Sequence, residues 1–171
     1  LGEWRELHHS MCGLAGFFTI PKHAKFAQEK LRKILIASEE RGNDACGIAF
    51  SPKKGSYYFC KAAEPATKFT KSKVYLEALA QHSPHILIGH SRAQTQGDKA
   101  DNHNNHPVIT KTGLMLVHNG MITNDSQLER EFNLKLDGKV DSEVIVRLVE
   151  HFIGMGLTTQ EAIQSASRKL Q

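Results

Sequence analysis

The 171-residue sequence lacks the marks of several protein classes. Its three cysteines, at positions 12, 46 and 60, cannot all pair with one another, which disfavours a disulfide scaffold and predicts a reducing compartment, the cytoplasm. No run of about 18 apolar residues could span a membrane, and the first ten residues lack the apolar core of a signal peptide. No glycine-rich phosphate loop joins a predicted strand to a predicted helix, so no cofactor is predicted.

The basic residues are too dispersed to indicate a nucleic-acid partner. The formal net charge is +4, but Lys and Arg are scattered and form no basic blocks interleaved with aromatic residues. Neither nucleic acid nor a membrane is therefore expected as a partner. With 40% hydrophobic residues the composition supports a folded core, and the length fits one domain.

Hydrophobic periodicity predicts antiparallel strands separated by helices. Strands are predicted at 11–20, 45–51, 56–61 and 85–91, with hairpins at 45–61 and 113–123. Helices are predicted at 24–38, 67–80, 125–132, 141–152 and 159–170, the last preceded by a capping box of Thr158 and Glu161. The polar segment 92–107 is predicted to be a long loop, which in a compact domain is usually functional or mobile. This order favours an α+β fold over a Rossmann-type sheet.

Cys12 is the first candidate for chemistry. A cysteine directly after Met11 can become the first residue of the mature chain, and its thiol would then lie beside its own α-amine. Such an amine has a pKa of about 7.7 to 8.0, so it can act as general base for the thiol near neutral pH. Taken alone, a cysteine in an apolar strand is more often a core residue, and Cys46 and Cys60 are interpreted that way.

Three polar motifs supply further candidates. Asn119 and Gly120 predict a hairpin turn, and the Asn119 side chain and Gly120 N–H could also form an oxyanion hole. Arg92, at a predicted strand end, could bind a carboxylate through two hydrogen bonds, although a surface ion pair would also explain it. Asp141 stands at a predicted helix N-cap, and an acidic group there could also receive an ammonium group.

The polar loop also contains histidines and aspartates that raise the question of a metal site. His103 and His106 lie near Asp98 and Asp101. No helical i, i+4 pair of ligands and no CxxC motif accompanies them, and the intervening asparagines are poor zinc ligands. A metal is therefore not predicted.

Six motifs occur in one order along the chain, and this order is far more specific than any single motif. They are M-C-G-L-A-G at 11–16, R-G-N-D-A-C-G-I at 41–48, G-H-S-R at 89–92, N-H-P at 105–107, H-N-G at 118–120 and D-S-E-V at 141–144. With this set the chain resembles the class II glutamine amidotransferase domain of the N-terminal nucleophile superfamily. Its motifs are most similar to those of the glutamine–fructose-6-phosphate aminotransferase and amidophosphoribosyltransferase branches. The resemblance implies the αββα sandwich of N-terminal nucleophile hydrolases.

The resemblance also implies a reaction and a set of site residues. The reaction would be hydrolysis of the side-chain amide of L-glutamine to glutamate and ammonia through a thioester. Cys12 would be the nucleophile with its α-amine as proton carrier, and Asn119 and Gly120 would form the oxyanion hole. The substrate-binding residues would be Arg92 at the α-carboxylate, Asp141 at the α-amino group, and Thr95, Arg41 and His106 around the site. The partner would be a synthase or transferase domain or subunit that accepts the ammonia.

The same resemblance predicts how the chain is organised. Residues 1–11 are expected to be a leader, a tag or propeptide plus Met11, that must be removed to free the amine of Cys12. Residues 12–171 are expected to be an amidotransferase domain truncated at its C-terminal end, because in relatives more strands and a synthase domain follow the last helix. An unfinished sheet would expose apolar surface, which leaves association between copies of the chain open. Ala93 and Gln96 replace an aromatic residue and a histidine of the aminotransferase branch, so we expect a weaker or differently gated lid.

Two other functions remain open at this level. One is a non-catalytic, glutamine-binding regulatory module that keeps the pocket but retains an unprocessed N-terminus. The other is a small metal-binding protein that uses the loop at 98–106. The N-terminal residue of the native protein distinguishes the first from the enzyme, and metal analysis of the purified chain tests the second.

Overall fold

A four-stranded antiparallel sheet is the larger of two sheets in the computed structural model, which describes residues 11–93 and 97–171. The strands lie in the order β1-β4-β2-β3, and comprise β1 (Gly13–Phe18), β2 (Ala45–Lys53), β3 (Ser56–Ala62) and β4 (Ile86–Arg92). A separate pair comprises β5 (Val108–Ile109) and β6 (Met115–Leu116). The helices are α1 (Ala24–Ala37), α2 (Ala66–Phe69), α3 (Lys73–Ala80), α4 (Asp125–Glu131), α5 (Glu143–Gly154) and α6 (Thr159–Ser167). The predicted α+β class is confirmed.

Strand β4 separates two environments. The Ser91 hydroxyl donates a hydrogen bond to the carbonyl of Leu35 on α1, and a Cβ at Gly89 would lie only 3.1 Å from the Leu35 side chain. Because successive residues of a strand point to opposite faces, His90 and Arg92 point away from α1. At this end of the sheet one face therefore packs on α1, and the other carries the polar side chains of His90 and Arg92.

Two larger apolar clusters, and a small third one of Val108, Val140 and Val146, hold the described elements together. The first lies between the sheet and helices α1 to α3, and its largest fully buried members are Leu31, Leu35, Ile48, Phe50, Phe69 and Leu87. The second joins the three C-terminal helices and includes Leu128, Val144, Leu148, Ala162 and Ala166. The first cluster fixes the strand ends where the candidate catalytic residues lie.

The predicted hairpin at 113–123 is wrong. Strand β6 pairs backward with β5, with Val108 opposite Leu116, and not with residues 121–123. Neither Asn119 nor Gly120 has a positive φ, which a type I′ turn requires. The reason is a competing partner, since the Ile122 N–H donates to a carboxylate oxygen of Asp141, 19 residues along the chain.

Most other element predictions hold with shifted ends. The hairpin β2–β3 turns at Gly55, whose φ is 80°, and the capping box of Thr158 and Glu161 is present. The predicted helix at 67–80 is two helices, because the Ser72 side chain accepts the Tyr75 N–H and starts a new helix there. Asp141 is not the N-cap of α5, which begins after Ser142.

Within the described residues, no helix has the length and apolar character needed to cross a membrane.

Candidate active site

Cys12 lies at the start of β1, beside the end of β4. Gly13 is paired with Ser91, so the preceding Cys12 reaches the residues that follow β4. The Ala93 N–H donates to the Cys12 Sγ at 3.4 Å, and the Sγ lies 3.5 Å from the Ala93 carbonyl oxygen. The Cys12 thiol is thus held against the backbone of Ala93, the residue after Arg92.

The surroundings of Cys12 shift the pKa of its thiol in opposite directions. Burial raises the pKa of the Cys12 thiol above its ordinary value, and this effect is the largest. The hydrogen bond from Ala93 and the positive charges of Arg92 and Arg41 lower the same pKa to a smaller extent. The net result is a thiol that stays protonated near neutral pH and needs a base to become a nucleophile.

Arg41 belongs to a loop that lies directly against the backbone after β4. A Cβ on Gly42 would lie 2.4 Å from the Ala93 nitrogen and 2.5 Å from the Arg92 carbonyl carbon, so only glycine permits this approach. Arg41, Asp44 and Ala93 line a small cavity of about 170 Å³ there. The structure therefore brings Arg41 to the side of the Cys12 site, with an exposed side chain.

Arg92 is almost completely buried, with 3% of its surface exposed. Its Nη1 donates to the Asn105 Oδ1 at 2.7 Å, and its Nη2 donates to the Gly97 carbonyl at 3.0 Å. Burial lowers the pKa of Arg92 from its ordinary value, while the charges of Asp44 and Asp98 act in the opposite direction. A surface ion pair does not describe this residue, because the guanidinium lies inside the protein.

Asp141 is also buried, and both of its carboxylate oxygens accept hydrogen bonds. Oδ2 accepts the Ile122 N–H at 2.6 Å, and Oδ1 accepts the Ser142 N–H at 2.8 Å and the Ser142 hydroxyl at 3.2 Å. These bonds tie the segment after Asn119 and Gly120 to the start of α5. A carboxylate has further lone pairs, so it can still accept an ammonium group.

His118 connects the Asp141 region to the sheet. Its Nδ1 lies 2.9 Å from the Ser142 Oγ, and its carbonyl oxygen lies 3.1 Å from the His90 Nε2. Asn119 and Gly120 follow it and are exposed, and a Cβ at Gly120 would lie 2.8 Å from the His118 Nε2. The oxyanion role of these two residues stays a prediction.

His106 lies beneath the site and stacks on His90. The ring centroids are 4.4 Å apart, and 5% of the His106 surface is exposed. Burial, together with the charges of His90, His118, Lys61 and Arg92, lowers the pKa of His106. Burial also lowers the pKa of His90, to about 4. Both imidazoles are therefore neutral at physiological pH. The substrate-binding role of His106 stays a prediction.

The remaining predictions have different outcomes. Thr95 lies outside the described residues. Cys46 and Cys60 are buried in the first apolar cluster as predicted, and burial raises the pKa of each thiol to about 12. Within 11–93 and 97–171, no three or more His, Cys, Asp or Glu residues are grouped so that they could hold a metal ion.

Three residues of the site were not predicted from the sequence. Asn105 accepts from Arg92, and the Lys61 Nζ donates to the carbonyl of Asn105 at 2.6 Å. Glu143 is 2% exposed and accepts from the Asp137 and Gly138 N–H groups and from the Arg147 guanidinium. A signal existed only for Glu143, whose i, i+4 spacing to an arginine favours an ion pair.

Comparisons with known proteins agree with the geometry of the candidate site. No family model matches the chain. It is 34% identical over 157 residues to the glutamine–fructose-6-phosphate aminotransferase (isomerizing) of Bacillus subtilis strain 168, covering 90% of this chain and 24% of that protein. It is 35% identical over 159 residues to the enzyme of the same name from Staphylococcus aureus strain N315, covering 89% of this chain and 24% of that protein.

These matches confirm the resemblance to the class II glutamine amidotransferases. A solved structure, described as the allosteric regulatory enzyme of purine biosynthesis, superimposes with a TM-score of 0.73 at 20% identity. It covers 94% of this chain and 33% of the other, and it shows that the two proteins share a fold. The chain spans about a quarter of the length of the curated relatives it matches.

Proposed function

We propose that this chain hydrolyses the side-chain amide of L-glutamine to glutamate and ammonia through a thioester on Cys12. The observation that carries the proposal is the position of the Cys12 Sγ, 3.4 Å from the Ala93 nitrogen and directly beside the buried Arg92. A nucleophile and a cationic carboxylate receptor are thus adjacent at one end of the sheet. The aminotransferases that the chain resembles are named for glutamine, which supports this substrate.

The raised pKa of the Cys12 thiol explains why the reaction needs a base at that residue. When residues 1–11 have been removed, the free α-amine of Cys12 has a pKa of about 7.7 to 8.0 and can take the thiol proton. The Sγ then attacks the amide carbon, and the amide oxygen carries the negative charge of the tetrahedral intermediate. The Asn119 amide and the Gly120 N–H stabilise that charge.

Collapse of the intermediate breaks the carbon–nitrogen bond. The ammonium formed at the α-amine donates its proton to the departing nitrogen, which leaves as ammonia, and a thioester remains on Cys12. The α-amine then removes a proton from water, and the hydroxide attacks the thioester carbon. The proton returns to the sulfur as the thioester breaks, which releases glutamate and restores the thiol.

Two opposite charges fix the zwitterionic end of glutamine. Arg92 binds the α-carboxylate in two-pronged fashion, and Asp141 accepts the α-ammonium. Arg41, Thr95 and His106 are proposed as further substrate-binding residues. The ammonia passes to a separate synthase or transferase domain or subunit, and the protein acts in the cytoplasm.

A glutaminase assay on protein that begins at Cys12 tests the proposal. We expect glutamate release by this protein, none by its Cys12→Ala variant, and labelling of Cys12 alone by a glutamine-like diazoketone, detected by mass spectrometry. Cys60→Ala is the matched control, because it removes a buried thiol of the core and should keep activity. Glutamate release by a folded Cys12→Ala protein would contradict the mechanism.

Two further measurements separate the enzyme from a non-catalytic binding module. If protein that retains residues 1–11 binds glutamine in calorimetry and the native protein is never processed to Cys12, the module is the correct function. If the native N-terminus is Cys12, the enzyme is the correct function.

A further inference from the structure

The hydrogen bonds of Arg92 include two to neutral oxygens. The Asn105 side-chain oxygen lies 2.7 Å from Nη1, and the Gly97 carbonyl lies 3.0 Å from Nη2. An amide oxygen orients a guanidinium without adding a negative charge, whereas an aspartate in its place would form an ion pair with it. The nearby Asp44 carboxylate lies 2.7 Å from the Lys99 Nζ, and its charge also acts to raise the pKa of Arg92.

The orientation of the Asn105 side chain is fixed by its other contacts. Its Nδ2 donates to the Lys99 carbonyl at 2.8 Å and to the Asn102 Oδ1 at 2.9 Å. Both of these partners are acceptors, so the nitrogen must face them and the oxygen must face Arg92. Asn105 is fully buried, so water does not compete for these bonds.

Lys61 holds the backbone of the same segment. Its Nζ donates to the carbonyl of Asn105 at 2.6 Å and to the carbonyl of Pro107 at 3.1 Å. Lys61 lies on β3 and is therefore part of the rigid sheet. The carbonyl and the side chain of Asn105 are thus both fixed, one by the sheet and the other by the polar loop.

We propose that Asn105 is a positioning and specificity-determining residue, which holds the Arg92 guanidinium with a neutral acceptor so that its charge serves the α-carboxylate of the substrate. This inference rests on the proposed function, because it takes glutamine as the ligand of Arg92. It predicts that the charge of the residue at position 105, and not only the size of that residue, controls the affinity for carboxylate-bearing substrates. A carboxylate at 105 would compete with that of the substrate for the same guanidinium.

Two variants and two substrates test this inference. Asn105→Asp should raise the KM for glutamine on the order of tenfold with kcat changed by less than about twofold, and Asn105→Ala should raise it less. For the glutamine analogue whose α-carboxylate is a carboxamide, Asn105→Asp should leave kcat/KM nearly unchanged, because that substrate presents no charge to Arg92. The preference for glutamine over the analogue therefore falls.

Asn133→Asp is the matched control, since it makes the same charge change at an exposed residue after α4. Thermal unfolding shows whether each variant is folded. If either Asn105 variant does not fold, Lys61→Met replaces it in the test. This variant keeps the Asn105 amide and should raise the KM for glutamine modestly. An equal loss on both substrates by a folded Asn105→Asp protein would overturn the inference, because a purely structural role predicts that result. An unchanged preference would also overturn it.

Calorimetry on the Cys12→Ala background separates this inference from the proposed reaction. If the chain binds glutamine and Asn105→Asp weakens binding on the order of tenfold, the inference holds even if protein that keeps Cys12 hydrolyses no glutamine, and only the proposed reaction then fails. A chain that binds no glutamine overturns both.

Discussion

The two faces of the four-stranded sheet are chemically opposite around the end of β4, although side chains on both faces are buried there. On the helix side Leu35 and Leu87 are completely buried among apolar neighbours. On the other side His90 and Asn105 are completely buried as well, and Arg92 is 3% exposed. A buried apolar group needs only contact, whereas a buried polar group must find a partner of defined geometry. The polar face therefore specifies positions, and the apolar face supplies the stability that makes those positions possible.

The largest effect tests whether the polar side also contributes stability. Glu143→Ala removes the acceptor of the Arg147 guanidinium and of the Asp137 and Gly138 N–H groups. We expect a loss of about 4 kcal/mol in the free energy of unfolding, because two N–H groups lose their buried acceptor at a cost of about 2 kcal/mol each. Urea unfolding measures the change.

Glu150→Ala is the control for that variant. It lies on the same helix and also contacts Arg147, but its side chain is 26% exposed. We expect a loss of about 1 kcal/mol or less. Equal losses from the two variants would show that burial of Glu143 is unimportant.

The next effect concerns the apolar face alone. Leu35→Ala leaves a cavity in the first cluster, so we expect a loss of about 3 kcal/mol in the free energy of unfolding. The KM for glutamine should not change in the folded protein, because Leu35 lies on the side of the sheet away from Arg92. Ile34→Ala, at a 38% exposed position of the same helix, should lose clearly less. A large rise in KM for Leu35→Ala would contradict the separation of the two faces.

The two faces should also respond differently to pH. The folded-state pKa of His90 is about 4, below its ordinary value of 6.5, so stability is complete above pH 6.5 and falls as the pH decreases toward 4. From His90 alone we expect a loss of about 2 kcal/mol at pH 5, and the lowered pKa of His106 adds to it. Unfolding at pH 7 and pH 5 measures this loss.

Substitution at the histidines identifies the source of the pH effect. The double variant His90→Gln, His106→Gln should lose much less stability between pH 7 and pH 5. His103→Gln, which changes an exposed histidine of the same polar loop, should behave like the unsubstituted protein. If the double variant keeps the full pH dependence, other groups are responsible.

The smallest effect tests the link between Asp141 and His118. Ser142→Ala removes the contact of 2.9 Å to the His118 Nδ1 and the hydrogen bond to Asp141. We expect a loss of about 1 kcal/mol in the free energy of unfolding, with a few-fold rise in the KM for glutamine because Asp141 is less firmly held. Ser126→Ala, at an exposed position of α4, should change neither quantity. An unchanged KM for Ser142→Ala would show that Ser142 does not orient Asp141.

Local patterns in the sequence predict the elements of the apolar face but not the partners on the polar face. The spacing of Leu31 and Leu35 predicts α1, and the apolar run before Arg92 predicts β4, because periodicity records which side is buried. The turn at Asn119 and Gly120 was predicted wrongly, since Asp141 captures the next N–H group from far along the chain.

The contact of Lys61 with Asn105 spans 44 residues and leaves no local signal at all. The ordered motifs predict Cys12, Arg41 and Arg92, which the structure brings to one end of the sheet. They do not say which groups hold them there. The roles of all these residues, and those of Asn119, Gly120 and His106, remain predictions.

The close approach at Gly47 has a consequence for how this protein can change over generations. A Cβ at that position would lie 2.3 Å from the His106 carbonyl oxygen and 2.6 Å from the Lys61 Cβ. The loop that carries Asn105 therefore packs directly against the backbone of β2, with no room for a side chain at position 47. A library of substitutions at position 47 should return glycine alone. Any sequence that acquires a larger residue there must first change how this loop packs on the strand.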